Sequence, residues 1–180
     1  MATPALTDLL ARNKAATASY QPMPYLSEMK TLNLSPITTV IVTCVDPRVS
    51  PDQFFGLKLG DAIVIRNTGG RVESALKEIA VLDSLLGHDT LKQLLIVHHT
   101  DCGASHFKDA AVKAEIAARH PEKKAEIETW YTGSFGGRST EESVKDDLAI
   151  AQADELLGES IKKGTHGFVL DIKTGLLTEV

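Results

Sequence analysis

The chain has 180 residues, of which 43% are hydrophobic and 24% charged, and its formal net charge is −5. This length and composition predict one folded domain that spans residues 1–180. Lysine and arginine are scattered, and no apolar run approaches the ~20 residues that cross a bilayer, so neither nucleic acid nor membrane is an expected partner.

The first segment, residues 1–34, predicts a helical arm ahead of a core at residues 35–180. Thr3 and Pro4 are typical of a helix start, and the helical pattern runs to about residue 18. Residues 25–34 predict a second, short helix. The arm has an apolar stripe with no partner nearby in the sequence, so we expect the stripe to pack on a partner subunit. The stripe consists of Leu6, Leu9 and Leu10.

The same segment is not expected to act as a secretory signal. Asp8 lies among its first residues, and no continuous apolar run follows. We therefore expect a cytoplasmic protein. Arg12 and Lys14, together with several serines and threonines, leave import into mitochondria open as an alternative.

The remainder of the chain alternates between strand and helix patterns. Strands are predicted over residues 37–43, 62–65, 94–97, 167–172 and 176–180. Helices are predicted over residues 50–55, 73–86, 104–120, 121–130 and 140–157. This alternation favours the α/β class, with a mostly parallel central sheet of about four strands, a C-terminal antiparallel edge strand and flanking helices.

Side chains that can bind metal follow two of the predicted strands. Cys44 follows the first strand, and His99 and Cys102 follow the third. Because ligands of parallel α/β sheets bind beyond the carboxyl ends of the strands, we expect these side chains to meet. Without an export signal, the two cysteines are expected to be thiols rather than a disulfide.

Two thiolates and an imidazole suit zinc, and three protein ligands leave a fourth position for water. The segments that carry the cysteines lie far apart in the chain. Spacing alone therefore leaves an equal alternative, in which a buried cysteine and an unrelated His–Cys turn never share an ion.

The motif Cys44-x-Asp46-x-Arg48, followed by His99-x-x-Cys102, resembles the β-class carbonic anhydrases. The resemblance covers the chain from about residue 37 onward, and its closing hairpin is similar to that of the short-chain members. Three further stretches carry the similarity, at residues 66–70, 98–103 and 167–180.

The resemblance implies one zinc ion per chain, bound by Cys44, His99 and Cys102, and no other cofactor. The implied reaction is reversible hydration of carbon dioxide to bicarbonate and a proton, in which a zinc-bound hydroxide attacks the carbon. Asp46 is expected to orient the hydroxide, and Arg48 to hold Asp46 away from the metal. The alternative for this pair is a surface ion pair in a turn. The resemblance also implies a homodimer, or a higher homo-oligomer, with clefts at the subunit interface.

Two other functions stay open on the sequence. Some members of this fold hydrolyse carbonyl sulfide or carbon disulfide, which the same nucleophile can attack, so pocket shape would decide the substrate. A non-catalytic zinc or thiol sensor is the alternative from a different class of protein.

Several neighbouring side chains are weaker candidates. His98 is predicted to face away from the metal-binding histidine and to lie in the core. His106 is a candidate proton relay, with an exposed helical residue as the alternative. Asp101 either orients a metal ligand or caps the next helix. The paired glycines Gly69 and Gly70 match no nucleotide-binding spacing. Expected core or interface aromatics are Phe54 and Phe55.

Overall fold

The computed structural model describes residues 3–29, 31–32 and 35–180 and contains a five-stranded sheet. The strands are β1 (Thr39–Cys44), β2 (Ile63–Asn67), β3 (Gln93–His99), β4 (Thr165–Leu170) and β5 (Leu177–Glu179). Their order is β2-β1-β3-β4-β5, and only the β4–β5 pair is antiparallel. The predicted α/β class, with an antiparallel strand at one edge, is confirmed.

The chain divides into two compact units, Met1–Ser35 and Pro36–Val180. The first unit contains the helix α1 (Leu6–Ala16), a 3₁₀ turn (Thr17–Ser19) and the short helix α2 (Leu26–Met29). The segment predicted to contain a second helix, residues 25–34, includes Lys30, Asn33 and Leu34, which lie outside the described residues. That the whole chain forms one domain stays a prediction.

The start of α1 differs from the sequence prediction. The helix begins behind Ala5 rather than behind Thr3, because the carboxylate of Asp8 accepts a hydrogen bond from the Ala5 amide at 3.2 Å. This bond satisfies one of the free amides that a helix start leaves without a partner. The apolar stripe is exposed in the single chain: Leu6, Leu9 and Leu10 are 70%, 48% and 59% exposed.

The second unit surrounds its sheet with helices. They are α3 (Pro51–Phe54), α4 (Leu76–Leu86), α5 (Asp109–Arg119), α6 (Lys124–Glu128), α7 (Thr140–Ala153) and α8 (Glu159–Lys163). Among the residues described, no helix is long and apolar enough to cross a membrane.

The predicted helices are generally longer than the observed ones, and two of them differ most at one end. The helix expected from residue 104 begins at Asp109, because Gly103–Ser105 forms a 3₁₀ turn and Lys108 has an extended backbone. The helix expected to reach residue 157 ends at Ala153. There the Asp154 side chain accepts hydrogen bonds from the two amides at 156 and 157, at 2.9 and 3.1 Å. Such local bonds compete with the helical hydrogen bonds and end the helix.

Both faces of the sheet are covered, as the uninterrupted apolar strands predict. Val40 and Val42 of β1 belong to one buried cluster, whereas Ile41 between them belongs to a second cluster on the other face. The register aligns Thr43 with Val97 across the central pair of strands. The carboxyl ends of β1 and β3 therefore lie side by side, and the candidate site forms at this edge.

Candidate metal centre

The three predicted ligands meet at the carboxyl edge of the sheet. Cys44 is the last residue of β1, His99 is the last residue of β3, and Cys102 lies in the turn that follows. One ligand atom from each lies within 4.8 Å of the other two, and all three residues are buried. The fold therefore brings the two segments together, and that they share one ion stays a prediction.

The ring of His99 is held with one nitrogen free for a metal. Its Nδ1 lies 2.9 Å from the carbonyl oxygen of Thr100, which can only accept, so Nδ1 carries the proton. Its Nε2 is buried and has no hydrogen-bond partner among the described residues. A buried polar atom without a partner is unfavourable, and a metal ion bound to Nε2 removes that cost.

The spacing of the two sulfur atoms fits zinc. Two thiolates bound at ~2.3 Å to one tetrahedral zinc ion lie roughly 3.8 Å apart. The Sγ atoms of Cys44 and Cys102 are 3.8 Å apart. Together with Nε2 of His99, they form a three-ligand set that leaves a fourth position for water or substrate, as in catalytic zinc sites.

The electrostatics of the two thiols favour a thiolate before any metal arrives. A hydrogen bond from the Cys102 thiol lowers the pKa of Cys44 well below its ordinary value. The pKa of Cys102 is raised by the same hydrogen bond, in which it keeps the proton, and by burial. The amide of Asp46 also points at the Cys44 sulfur, at 3.5 Å. Because a metal ion binds the thiolate form, metal binding at this pair is coupled to proton release.

Asp46 and Arg48 form the predicted ion pair at the rim of the centre. The Arg48 side chain donates to both carboxylate oxygens of Asp46, from Nε at 3.0 Å to Oδ1 and from Nη2 at 2.7 Å to Oδ2. The pKa of Asp46 is lowered to about 2, chiefly by these hydrogen bonds. Oδ2 of Asp46 lies 3.9 Å from Nε2 of His99, so the carboxylate borders the position that a metal would take.

Asp101 and His106 extend this ion pair towards the surface. Asp101 accepts a hydrogen bond from Nη1 of Arg48 at 2.8 Å, and its pKa is lowered by that contact. Asp101 does not cap the following helix, which begins only at Asp109. Nε2 of His106 lies 3.7 Å from Asp101, and the His106 side chain is 69% exposed. Its role as a proton relay stays a prediction.

The sequence did not reveal that Arg66 stabilises the turn after β1 by hydrogen bonds. Its guanidinium donates to the carbonyl oxygens of Cys44, Asp46 and Val49, at 3.0, 2.7 and 2.6 Å. These three bonds fix the turn that carries both a ligand and the ion pair. The sequence marks this position in two ways, as a charged residue directly after a predicted strand and as the first residue of the 66–70 stretch of the resemblance, but neither signal identifies its partners.

The paired glycines allow a loop to lie directly against Cys44. Gly69 and Gly70 both have positive φ angles, 76° and 69°. A Cβ atom at Gly70 would lie 2.8 Å from the backbone nitrogen of Cys44, so no larger residue fits. The neighbouring Asn67 closes the loop, because its side-chain amide exchanges two hydrogen bonds of 2.8 Å with the backbone of Arg71.

Of the remaining candidates, His98 lies in the core as predicted, whereas the two phenylalanines are half-buried. His98 is fully buried on the opposite face of β3 and contacts Ser143 and Asp147 of α7. Phe54 and Phe55 pack against the second buried cluster.

A small cavity of about 230 Å³ opens beside the metal centre. Cys44 and Asp46 form its polar side, and most of the rest is apolar or backbone. The other lining residues are Val45, Thr68, Gly69, Gly103, Ala104 and Phe107. A cavity of this size with a largely apolar lining suits a small molecule that needs few hydrogen bonds.

Comparisons with known proteins agree on one family. The family model for carbonic anhydrase matches residues 39–177. Beta-carbonic anhydrase 1 of Mycobacterium tuberculosis is 31% identical over 141 residues, which cover 78% of this chain and 80% of the relative. A carbon disulfide hydrolase of Acidianus sp. is 29% identical over 150 residues, with 78% and 72% covered. The solved structure of a carbonic anhydrase from Glaciozyma antarctica has a TM-score of 0.76 at 29% identity and covers 94% of each chain.

Proposed function

Because this chain belongs to the β-carbonic anhydrase family, we propose that it catalyses the reversible hydration of carbon dioxide to bicarbonate and a proton. The family's enzymes are zinc-dependent lyases. The observation that carries the proposal is the buried Nε2 of His99, which faces two sulfur atoms and has no other partner among the described residues.

We assign the metal ligands to Cys44, His99 and Cys102. Zinc bound there would supply a Lewis acid that generates a nucleophile from water near neutral pH. The two thiolates contribute the negative charge that a divalent cation needs. The hydrogen bond from Nδ1 of His99 to Thr100 keeps the ring in the tautomer and orientation that binding requires.

Asp46 and Arg48 are assigned the positioning of the nucleophile. Oδ2 of Asp46 accepts a hydrogen bond from the attacking water and directs the oxygen lone pair towards the carbon. Arg48 holds both carboxylate oxygens, so Asp46 stays ionised and cannot turn to occupy the metal itself. The planar guanidinium suits this task because it binds a carboxylate at two points.

The substrate is assigned to the small cavity beside Cys44. Carbon dioxide is linear and apolar, so size and exclusion of water, rather than hydrogen bonds, hold it there. Carbon disulfide has the same shape but larger atoms, and a relative at 29% identity is named as its hydrolase. Hydrolysis of carbon disulfide is therefore the second candidate function.

A paired assay on the zinc-loaded protein tests the proposal. We expect stopped-flow indicator measurements to show carbon dioxide hydration well above the buffer rate, and carbon disulfide to release no sulfide above buffer. Sulfide release without hydration would assign the chain to the second candidate. A zinc-loaded protein that shows neither hydration nor sulfide release would favour the non-catalytic sensor.

We further propose that the protein is a homodimer in which the α1 stripe packs on the partner subunit. The exposure of three leucines on one helix face supports this assembly, since burying each apolar side chain contributes roughly 1.5–3 kcal/mol.

Replacing the three leucines of the stripe by serine is expected to convert the dimer into monomers and to lower the melting temperature. Sedimentation velocity measures the mass. As a control, Ala11 and Ala15 on the opposite face of α1 are replaced by serine, which lowers helix propensity without removing the stripe. If the leucine variant keeps the mass of a dimer, the stripe is not part of the interface.

A further inference from the structure

A buried ionic network lies behind the metal centre, on the face of β3 opposite His99. Its centre is Asp147 of α7, which is fully buried. Oδ1 of Asp147 accepts a hydrogen bond from Nε of Arg71 at 2.9 Å and forms an ion pair with Nη2 of the same guanidinium at 2.8 Å. Oδ2 accepts from the amide of Val72 at 2.9 Å and faces Nε2 of His98 at 3.1 Å. The carboxylate thus links two separate segments to α7, residues 71–72 and the end of β3.

The first branch of the network fixes the end of β3. The His98 ring is held between Asp147 and Ser143, whose Oγ lies 2.6 Å from Nδ1. Successive side chains of a strand point to opposite faces. Because the His98 side chain is anchored on one face, the backbone at the end of β3 is fixed, and the His99 side chain must point from the other face.

The second branch fixes the loop that covers Cys44. Arg71 directly follows Gly69 and Gly70, and both its side chain and the next amide are bound by Asp147. The backbone of this loop is in contact with the backbone of Cys44. Asp147 therefore holds the loop, and with it the position of Cys44.

The third branch reaches Cys102 through Phe135. The Phe135 ring stacks on His98, with ring centroids 5.1 Å apart, and the Arg71 guanidinium lies 5.8 Å from the same ring. Phe135 also packs in a buried cluster with Cys102 and Ala104. Its amide donates to the carbonyl oxygen of Ala104 at 3.0 Å.

The packing of α7 shows how Asp147 comes so close to β3. Gly167 of the neighbouring strand β4 lies against the helix, and a Cβ atom there would clash with Val144 and Leu148. Buried charges of this kind rarely stabilise a fold more than apolar residues of the same volume would. Hydrogen bonds are directional, whereas apolar contacts are not. The charged network therefore fixes the positions of the groups that it joins, which an apolar core would not do.

We propose that Asp147 is a positioning residue of the metal centre, which holds the segments of all three ligands in the geometry that binds zinc. This inference depends on the proposed function, since it requires that the wild-type protein binds zinc. Asp147 touches neither ligand nor substrate, and it acts through His98, Arg71 and the aromatic ring that they hold.

The test compares Asp147→Asn with Leu91→Ala. Asparagine keeps the volume of the side chain but loses its charge and replaces one acceptor with a donor. Leu91 is buried in the core cluster that contains none of the metal ligands, and its side chain makes no hydrogen bond that its truncation could remove from the network, so the substitution lowers stability through packing alone. For each protein, a competing chelator gives the zinc affinity, the absorption of the cobalt-substituted form reports ligand geometry, and thermal unfolding gives stability.

We expect Asp147→Asn to weaken zinc binding by about tenfold or more and to shift the cobalt absorption bands. Leu91→Ala should lower the melting temperature by a similar or larger amount and leave both metal readouts unchanged. If Asp147→Asn does not fold, Ser143→Ala removes one bond of the network and should shift the bands in the same direction to a smaller extent.

Wild-type zinc affinity and cobalt spectrum in Asp147→Asn would overturn the inference, as would the same wild-type values in Ser143→Ala where only that variant folds. Equal loss of metal in Leu91→Ala would overturn it too, because affinity would then merely follow stability. A wild-type protein that binds no zinc would instead refute the proposed function, so the two failures are distinguishable.

Discussion

Replacing Asp46 by asparagine is expected to lower the rate of carbon dioxide hydration by about 100-fold or more, while zinc stays bound. The carboxylate lies next to the metal position, 3.9 Å from Nε2 of His99, and it is ionised because Arg48 lowers its pKa to about 2. Asparagine has one acceptor where the carboxylate has two, and its amide group cannot pair with the guanidinium. Stopped-flow hydration rates and zinc content, measured on the same preparation, check both parts of this prediction.

Asp101→Asn is the matched control for this substitution. Asp101 binds the same guanidinium and undergoes the same chemical change, but its side chain is 65% exposed and does not border the metal position. Its φ angle of 55° is one that asparagine also tolerates. An exposed ion pair contributes about 1 kcal/mol or less, so we expect a rate loss below about fivefold. Equal losses in the two variants would mean that Asp46 has no special role.

Replacing Arg48 by alanine is expected to lower hydration by about 100-fold as well, again with zinc retained. Without the guanidinium, the Asp46 carboxylate loses three hydrogen bonds and keeps only the one that Oδ1 accepts from the amide of residue 48, so Oδ2 is released. It is then free to take the fourth position, where it would exclude the attacking water. The cobalt-substituted protein should report this change as a shift in its absorption bands.

Arg48→Lys is the graded control, because lysine keeps the charge but cannot bind both oxygens of a carboxylate in one plane. Its rate should fall between those of the wild type and Arg48→Ala. If Arg48→Ala hydrates carbon dioxide at the wild-type rate, the pair is an ordinary surface ion pair.

The parts of the site that the sequence predicted are those with a local signal. Buried strands appear as uninterrupted apolar runs, and parallel strands align their carboxyl ends, so Cys44, His99 and Cys102 could be expected to meet. The resemblance to a family then supplied the roles of Asp46 and Arg48.

The parts that were missed depend on contacts between distant segments. Arg66 binds carbonyl oxygens some 20 residues away, and carbonyl groups are present at every position, so no pattern marks the partner. Asp147 lies 76 residues from Arg71. A charged residue on the apolar side of a predicted helix was a signal of burial, but nothing local identifies which cation it meets.

The predicted helix boundaries were wrong for a different physical reason. Apolar periodicity continues past Ala153, yet the Asp154 side chain binds two amides and ends α7. A single polar side chain can thus outweigh the periodic pattern at a helix end, because the last turn has few hydrogen bonds of its own.

The central claim is that Cys44, His99 and Cys102 bind one zinc ion, and the metal content of the purified protein tests it most directly. We expect one zinc per chain in the wild type and in His106→Ala, which removes an exposed histidine outside the ligand set. Cys44→Ser should contain almost none. A wild-type protein without zinc, or a Cys44→Ser variant that keeps a full equivalent, would contradict the claim.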